Sequence, residues 1–191
     1  MIILAGILAY ILGSIPFAYI IGKYFYKSDI RTLGSGNVGS TNVLRNYGKK
    51  AAIATLILDV LKGYIGVFIG EKLAGYDGVC LTFILVVIGH MYSIFLKFKS
   101  GKGVATSAGA MLFINPMILL IALVVFLLTV AITKMVSLGS ILAVISALVL
   151  SYINYWPTKL FWAIVLICFL IIFKHRSNIQ RMINGEESKI R

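Results

Sequence analysis

Acidic side chains are scarce in this chain, which has 6 Asp and Glu residues against 18 Lys and Arg and a net charge of +12. Only 13% of its 191 residues are charged, whereas a soluble domain averages roughly 25%. The two cysteines, Cys80 and Cys168, both lie in apolar stretches, which excludes a disulfide framework and indicates no metal chemistry. With 2 histidines and no metal-ligand spacing, the sequence predicts neither a metal site nor a cofactor.

Long apolar runs dominate what is present, with 60% hydrophobic residues and a mean hydropathy of +1.00. The sequence predicts an all-α, polytopic membrane helix bundle of about seven transmembrane helices, forming a single membrane-integral domain over residues 1–191. The first run has no positively charged segment before it, so we expect a retained helix instead of a cleaved signal. The predicted spans are 2–23, 51–70, 79–96, 103–114, 116–133, 135–153 and 158–174.

The fourth span, near 103–114, is short and rich in small residues, and Asn115-Pro116 follows it. Fusing 103–133 into one kinked helix would leave six spans and would export the basic C-terminal tail. With seven spans and the first loop inside, every basic residue except Lys62, Lys72 and Lys159 lies on the inner side. The positive-inside rule therefore predicts an outside N-terminus, a cytoplasmic C-terminus and a short or broken fourth helix.

The placement of the basic residues also restricts the partners. They lie at the membrane edges, so anionic lipid headgroups and anionic substrates fit the excess charge, and nucleic acid does not.

The polar loop from Asp29 to Lys50 is the strongest candidate site. Its stretch LGSGNVGSTN combines glycines with hydroxyl and amide side chains, and Arg45 follows. Glycines can turn successive backbone N–H groups toward one point, forming a nest for an anion, and arginine matches phosphate oxygens. The alternative is an ordinary flexible loop, because a lone G-x-G-x-x-G is a weak signal and here follows no predicted strand.

A second glycine-rich basic turn, Lys99 to Gly103, opens into the short fourth helix and contains Lys102. A helix N-terminus favours anions, although a basic interfacial turn is also a common topology anchor. Within the apolar runs, Asp59 and Lys62 lie three apart on one helix face, which indicates a structural ion pair. His90, near the inner end of the third span, is either functional or a hydrogen-bonded structural histidine.

Further donors lie on the predicted inner side. Ser137 and Ser140 could each donate to an anion, although Ser137 is more simply explained as a helix cap. His175 and Asn178 are one turn apart after the seventh span, and both can donate to phosphate or hydroxyl oxygens. Glu186 and Glu187 beyond them are interpreted as a solvated end.

The sequence contains no G-x-S-x-G elbow and no histidine followed five residues later by aspartate. An enzyme with this sequence would therefore work by donor-lined binding and electrostatics, without an obvious protein nucleophile.

Three cytoplasmic segments carry a resemblance to a known family. GSGNVGSTNVLR, GHMYSIFLKFKSGKGVAT and KHRSNIQRMINGEE resemble the three motifs of the bacterial acyl-phosphate:glycerol-3-phosphate acyltransferases, and LGSIPFAYIIGK and LDVLKG also look like that family. The resemblance implies a seven-span enzyme of the bacterial plasma membrane with its active site facing the cytoplasm. It would transfer an acyl group from acyl phosphate to the 1-hydroxyl of sn-glycerol 3-phosphate, giving lysophosphatidic acid and phosphate, the first step of phospholipid biosynthesis.

The mechanism expected from this resemblance is direct attack by the glycerol hydroxyl, without an acyl-enzyme, because acyl phosphate is already an activated anhydride. The residues expected to hold acyl phosphate are Ser35, Gly36, Asn37 and Thr41; those expected to bind glycerol 3-phosphate are Arg45, Lys102, Ser140, His175 and Asn178. A monomer is compatible with a bundle that encloses its own site.

Two other functional classes compete with the enzyme. A transporter of a phosphorylated metabolite would explain the broken helix and the anion loops, but would need polar clusters on both faces. A scaffold protein would leave both glycine-rich loops unexplained.

Overall fold

The computed structural model describes residues 1–190, and Arg191, one of the basic residues assigned to the inner side, lies outside this range. Within residues 1–190 the secondary structure is entirely helical, which confirms the predicted all-α class. The chain divides into two compact units, Met1–Phe113 and Ile114 to the C-terminus. Each unit is built from helices that follow one another along the chain.

The first unit begins with α1 (Ile2–Ser14) and α2 (Phe17–Phe25), which replace the single uninterrupted span predicted over 2–23. The helix ends because Pro16 has no N–H to donate and disfavours a helical conformation at the residue before it. Ile15 is accordingly extended. A loop with the 3-10 turn Ile30–Thr32 leads to α3 (Ser40–Tyr47).

The longest helical segment, α4 (Lys49–Met91), contains a sharp bend at Ala74 and Gly75. Gly75 has a φ of 57°, a left-handed conformation that glycine adopts without steric cost. The two halves fold back on each other, as the contacts of Gly70 with Gly78 and Thr82 show. A Cβ at Gly70 would collide with both residues. The predicted second and third spans are thus the two halves of one helical hairpin.

Helix α5 (Val104–Ile114) is the short fourth helix that the sequence predicted. Its backbone packs directly on α4, since Gly63 abuts the carbonyl of Thr106 and Gly109 abuts the carbonyl of Val60. Close backbone approach through small residues is how helices associate in membranes, where apolar surface alone provides little drive.

The second unit contains four helices: α6 (Pro116–Thr133), α7 (Val136–Tyr155), α8 (Lys159–Lys174) and α9 (Arg176–Ile183). Asn115 caps α6 by accepting from the backbone N–H groups of Met117 and Ile118, at 3.1 Å each. The segment after α9 returns to the α6–α7 connection, where the N–H of Ile190 donates to the carbonyl of Lys134 at 2.8 Å.

Large apolar side chains cover the outside of these helices, as expected for contact with lipid. Among residues 1–190, four helical segments are long and apolar enough to cross a membrane, or five if bent α8–α9 counts as one span. The segment Lys49–Leu96 is counted once in this total although its helix doubles back.

Candidate active site

The candidate loop begins with a local ion pair that shapes its first turn. Asp29 accepts from the Arg31 backbone N–H at 2.9 Å and pairs with the Arg31 guanidinium at 2.6 Å. Hydrogen bonds from Arg31 lower the pKa of the Asp29 carboxyl below its ordinary value, and the same side-chain bond raises the pKa of Arg31. The Arg31 guanidinium also lies over the Tyr19 ring at 4.9 Å. This arginine is therefore engaged by its own loop.

Asn42, on the first turn of α3, is the residue around which the glycine-rich segment folds. Its side chain is buried, with a relative exposure of 1%. Its Nδ2 donates to the carbonyls of Ile30, Leu33 and Asn37 at 3.2, 3.0 and 3.1 Å. Its Oδ1 accepts from the Ser35 N–H at 3.1 Å. One buried amide thus holds both sides of the loop.

The backbone of this loop does not form the anion nest that the glycine spacing predicted. The N–H of Ser35 donates to Asn42, that of Gly36 to the Leu33 carbonyl at 2.9 Å, and that of Asn37 to Ser35 Oγ at 3.4 Å. Gly34 and Gly36 do take left-handed φ values, 54° and 68°, but they serve the turn itself. The glycines position side chains and do not gather N–H groups.

Free helix-end donors are found at the start of α3 instead. Gly39 precedes this helix and has no side chain to cap it, so no side-chain hydrogen bond satisfies its N-terminus within the described chain. Ser40 and Thr41 occupy the first turn, where backbone N–H groups and the helix dipole favour negative charge. Ser35 and Arg45, at either end of this stretch, are exposed, and Thr41 is half-buried.

A hydrophobic cluster places this loop beside the second basic turn. The cluster combines residues from α2, the loop, α3, the start of α4 and the 3-10 turn Ile94–Leu96, namely Ala18, Ile21, Ile30, Val38, Val43, Ala51, Ala52 and Leu96. Because Leu96 packs in the same cluster as Val38 and Val43, the two glycine-rich segments lie at the same end of the first unit.

The second turn is held in an unusual backbone conformation. Lys97 and Phe98 have positive φ values of 52° and 60°, and Gly103 has 87° just before α5. The Phe98 N–H donates to the Ser93 carbonyl at 2.8 Å, and the Lys99 N–H donates to the Leu96 carbonyl at 3.1 Å. Lys102 is half-buried at the entrance to α5.

The Asp59–Lys62 ion pair predicted from their spacing is present. Lys62 Nζ lies 2.8 Å from Asp59 Oδ1, and both side chains are buried. His90 joins this pair, with Nδ1 at 3.4 Å from the same Asp59 oxygen. The sequence left the role of His90 open between function and structure, and the structure places its ring beside the buried carboxylate.

In the second unit, backbone carbonyls hold two of the side chains that were expected to bind glycerol 3-phosphate. Ser140 Oγ donates to the Val136 carbonyl at 2.9 Å within α7. His175 Nδ1 lies 2.8 Å from the Ile171 carbonyl, which can only accept, so this nitrogen carries the proton. Both side chains are buried, at 5% and 3% exposure.

The third of these side chains, Asn178, contacts Glu187, which the sequence had placed in a solvated end. Its Nδ2 donates to Glu187 Oε1 at 2.8 Å, and Ser137 Oγ donates to the same oxygen at 2.8 Å. Arg181 Nε donates to Glu187 Oε2 at 2.8 Å. Burial opposes ionisation of Glu187, but the hydrogen bonds from Asn178, Ser137 and Arg181 outweigh it and lower its pKa.

Two corrections follow. Glu187 is not part of a solvated end, because only 7% of it is exposed. Ser137 does not cap α7, since its hydroxyl donates to Glu187 and no side chain makes a cap hydrogen bond at that helix start.

The residues that the sequence analysis missed, Asn42 and Glu187, share one property: each is a buried polar side chain that satisfies several backbone or side-chain groups. For Asn42 a weak signal was available. It stands next to Val43 and Leu44 in an amphipathic helix, and therefore close to the face that packs inward. For Glu187 no local signal exists, since its partners are contributed by two helices.

Comparisons with known proteins agree over the full length of the chain. Residues 3–185 match the family model described as glycerol-3-phosphate acyltransferase. The chain is 47% identical over 188 residues to the glycerol-3-phosphate acyltransferase of Thermoanaerobacter pseudethanolicus, covering 98% of this chain and 95% of that protein. It is 44% identical over 192 residues to the corresponding protein of Finegoldia magna, with 99% and 96% covered.

Two solved structures are also similar. A crystal structure of PlsY (YgiH), an integral membrane glycerol 3-phosphate acyltransferase in its glycerol 3-phosphate form, superposes with a TM-score of 0.95 at 40% identity, covering 100% of this chain and 96% of that one. Its lysophosphatidic acid form superposes with a TM-score of 0.91 at 39% identity, with 100% and 95% covered.

Proposed function

This chain belongs to the glycerol-3-phosphate acyltransferase family, and we propose that it takes the acyl group for glycerol 3-phosphate from acyl phosphate. The observation that supports acyl transfer to glycerol 3-phosphate is the full-length similarity to one enzyme solved in a glycerol 3-phosphate form and a lysophosphatidic acid form. These two ligands are the acceptor and the acylated product of a single step.

Acyl phosphate is the donor that fits the chemistry of the first unit. An acyl phosphate is a mixed anhydride, so its carbonyl needs no further activation by a protein nucleophile. Within residues 1–190, Ser35 Oγ has one hydrogen-bond partner, the Asn37 N–H, and no histidine or carboxylate that would activate it. The absence of a nucleophile–base pair at this serine supports direct transfer.

The reaction we propose has one bond exchange. The 1-hydroxyl oxygen of glycerol 3-phosphate attacks the acyl carbonyl carbon, and the bond from that carbon to the bridging phosphate oxygen breaks. The hydroxyl proton passes to an oxygen of the departing phosphate. The products are 1-acyl-sn-glycerol 3-phosphate and hydrogen phosphate, and no cofactor enters the balance.

The glycine-rich loop from Asp29 to the start of α3, called the donor loop from here on, is assigned to acyl phosphate. Ser35, Asn37 and Thr41 would donate to the phosphate and to the developing negative charge on the carbonyl oxygen, with the start of α3 adding backbone N–H groups. Gly36 would allow close approach, since its left-handed φ keeps the turn compact.

The residues assigned to glycerol 3-phosphate are those that the sequence indicated. Arg45 offers a forked guanidinium that matches phosphate oxygens, and Lys102 offers a flexible point charge. Ser140, His175 and Asn178 stay assigned to glycerol 3-phosphate. Their buried hydrogen bonds to Val136, Ile171 and Glu187 fix their orientation before any substrate binds.

For the membrane we propose seven spans, one acyltransferase domain over residues 1–191, an outside N-terminus and a cytoplasmic C-terminus. The hairpin in α4 supports counting its two halves separately, and with seven spans the positive-inside rule puts the basic loops in the cytoplasm. The active site would face the cytoplasm at the bacterial plasma membrane. A monomer is proposed, with the surrounding lipid as its other contact.

The deciding experiment is an assay on purified protein in detergent with palmitoyl phosphate and glycerol 3-phosphate, and with palmitoyl-CoA as a parallel donor. Equal amounts of lysophosphatidic acid and phosphate from palmitoyl phosphate alone are expected. Product from palmitoyl-CoA alone would overturn the donor assignment. Uptake of glycerol 3-phosphate into proteoliposomes without acylation would favour the transporter interpretation.

Direct attack has its own test. Without glycerol 3-phosphate, an acyl-enzyme would release phosphate reversibly and would exchange radioactive phosphate into palmitoyl phosphate. Direct transfer predicts no exchange above a no-enzyme control, and steady exchange would show a covalent intermediate.

A further inference from the structure

The first unit buries three ionisable side chains that the proposed reaction does not use. Asp59, Lys62 and His90 are 2%, 2% and 5% exposed. Asp59 Oδ1 lies 2.8 Å from Lys62 Nζ and 3.4 Å from His90 Nδ1. A buried carboxylate with two cationic or polar partners is costly to assemble in a membrane protein, so such a group generally serves a function.

Lys62 connects this group to the break between α1 and α2. Its Nζ donates to the Ile15 carbonyl at 2.9 Å and lies 5.5 Å from the centre of the Phe17 ring. The Ile15 carbonyl is one of those left without a helical partner where α1 ends. The role of Lys62 is therefore explained by the helix break.

His90 connects the same carboxylate to the second basic turn. The His90 carbonyl accepts from the Gly101 N–H at 3.2 Å. The His90 ring lies flush against Gly101, so that a Cβ at this position would collide with Nε2. Gly101 is buried and stands directly before Lys102. The His90 ring thus lies between Asp59, beside its Nδ1 edge, and Gly101, against its Nε2 edge, while the His90 backbone carbonyl accepts from the turn.

We infer that His90, anchored by Asp59, is a positioning residue that sets the backbone of the Lys99–Gly103 turn so that Lys102 can bind the phosphate of glycerol 3-phosphate. The inference rests on the proposed assignment of Lys102 to that phosphate. The lysine stem has a limited length and loses rotamer entropy when it is ordered, so a displaced Cα leaves fewer conformations in which the ammonium reaches the phosphate. A small displacement of the turn would weaken acceptor binding and leave donor binding unchanged.

His90→Asn separates this role from simple packing. The Asn Nδ2 can occupy the place of the ring Nδ1 beside Asp59, while the shorter side chain ends before Gly101. We expect the KM for glycerol 3-phosphate to rise about 10- to 100-fold, as for a misplacement of the order of 1 Å. The KM for palmitoyl phosphate should stay within about twofold, because the donor loop is held by Asn42.

His90→Gln is the conservative partner variant, because its amide reaches the position of Nε2. It should recover at least part of the KM for glycerol 3-phosphate lost in His90→Asn. Thr82→Val is a matched control: Thr82 is also fully buried in α4, but its hydroxyl donates only to the carbonyls of Gly78 and Val79. Its KM values should equal those of the wild type. Size-exclusion profiles in detergent establish that each variant is folded.

The decisive comparison adds Lys102→Ala and the double variant His90→Asn with Lys102→Ala. If His90 acts through Lys102, both single variants raise the KM for glycerol 3-phosphate and the double variant resembles Lys102→Ala alone. If the two effects multiply, or if His90→Asn changes both KM values equally, the positioning role is overturned while the assignment of Lys102 stands. If Lys102→Ala leaves the KM unchanged, the proposed phosphate site is wrong, and the positioning role is rejected with it.

Discussion

Asn178 donates its Nδ2–H to Oε1 of Glu187 at 2.8 Å, and Ser137 Oγ donates to the same oxygen from the start of α7. The carboxylate joins the segment after α9 to two helices of the second unit. A residue that the sequence placed in a solvated tail is thus the acceptor that orients one of the proposed substrate ligands.

Replacing Glu187 by Gln should destabilise the protein. The amide keeps the shape but presents N–H₂ where an oxygen now accepts, so it must face Arg181, Ser137 or Asn178, all of which are donors there. A buried group left unsatisfied costs about 1–3 kcal/mol. We expect a lower unfolding temperature in detergent, with Glu186→Gln unchanged because Glu186 is exposed. Equal melting of both variants would contradict this role.

The contribution of Glu187 should also depend on pH. Its pKa is lower in the folded protein than the ordinary value of 4.5, so the unfolded chain takes up the proton first. The stability it provides is therefore complete above pH 4.5 and is lost as pH falls through the lower folded pKa. Wild type and Glu187→Gln should differ in unfolding temperature by a constant amount from pH 7 to about 5 and converge in more acidic buffer. A difference that grows on acidification would reverse the sign and reject the argument.

Asn42→Ala should impair turnover, although the Asn42 amide is not assigned to either substrate and acts by holding the loop. The variant removes the amide that binds the carbonyls of Ile30, Leu33 and Asn37 and the N–H of Ser35, so the donor loop loses its fixed shape. We expect kcat to fall about 10²-fold, as displacement of catalytic donors by about 1 Å does.

Asn46→Ala is the matched control, one turn along α3. Asn46 is exposed, and its amide donates only to the carbonyl and Oδ1 of Asn42, so its loss leaves the four loop contacts of Asn42 in place. Its kcat should stay within about threefold of the wild type. Comparable losses in both variants would show that α3, and not the Asn42 amide, carries the effect.

The proposed membrane topology predicts a labelling pattern. Lys72, at the bend of α4, should face outside and Lys97 the cytoplasm. In intact cells a membrane-impermeant maleimide should label Lys72→Cys and not Lys97→Cys, and both should react after lysis. The native cysteines are buried, so the wild type supplies the background. Labelling of Lys97→Cys in intact cells would invert the orientation.

The positions of most helices could be predicted from the sequence, because each apolar run is visible within its own segment. The short fourth helix follows from the length of its apolar run, and the pairing of Asp59 with Lys62 follows from their spacing. Both are present. The bend that joins the second and third spans lies at Ala74 and Gly75, where the sequence predicted a short loop. Local pattern therefore located most segments to within a few residues, but it missed the break at Ile15 and Pro16 inside the first predicted span.

The details of the candidate site could not be read in the same way. Glycine spacing indicated a nest of N–H groups, but Asn42 takes up the N–H of Ser35 in a contact formed only once α3 has folded. The partners of Glu187 lie 50, 9 and 6 residues away in sequence, at Ser137, Asn178 and Arg181. Such contacts depend on tertiary structure, and no pattern within one segment encodes them.

Ser35→Ala tests whether the donor loop stabilises the transition state. Ser35 is exposed at the tip of the loop, and its hydroxyl makes a single long contact of 3.4 Å to the Asn37 N–H, so its removal should not unfold the protein. Loss of one donor to a developing oxyanion typically lowers kcat by about 10²–10³-fold. We expect this loss in kcat with palmitoyl phosphate, with little change in the KM for glycerol 3-phosphate. Ser107→Ala, whose hydroxyl donates to the Val104 carbonyl within α5, is the control. Normal turnover by Ser35→Ala would overturn the assignment of Ser35 and leave Asn37, Thr41 and the backbone N–H groups at the start of α3 as the candidate donors.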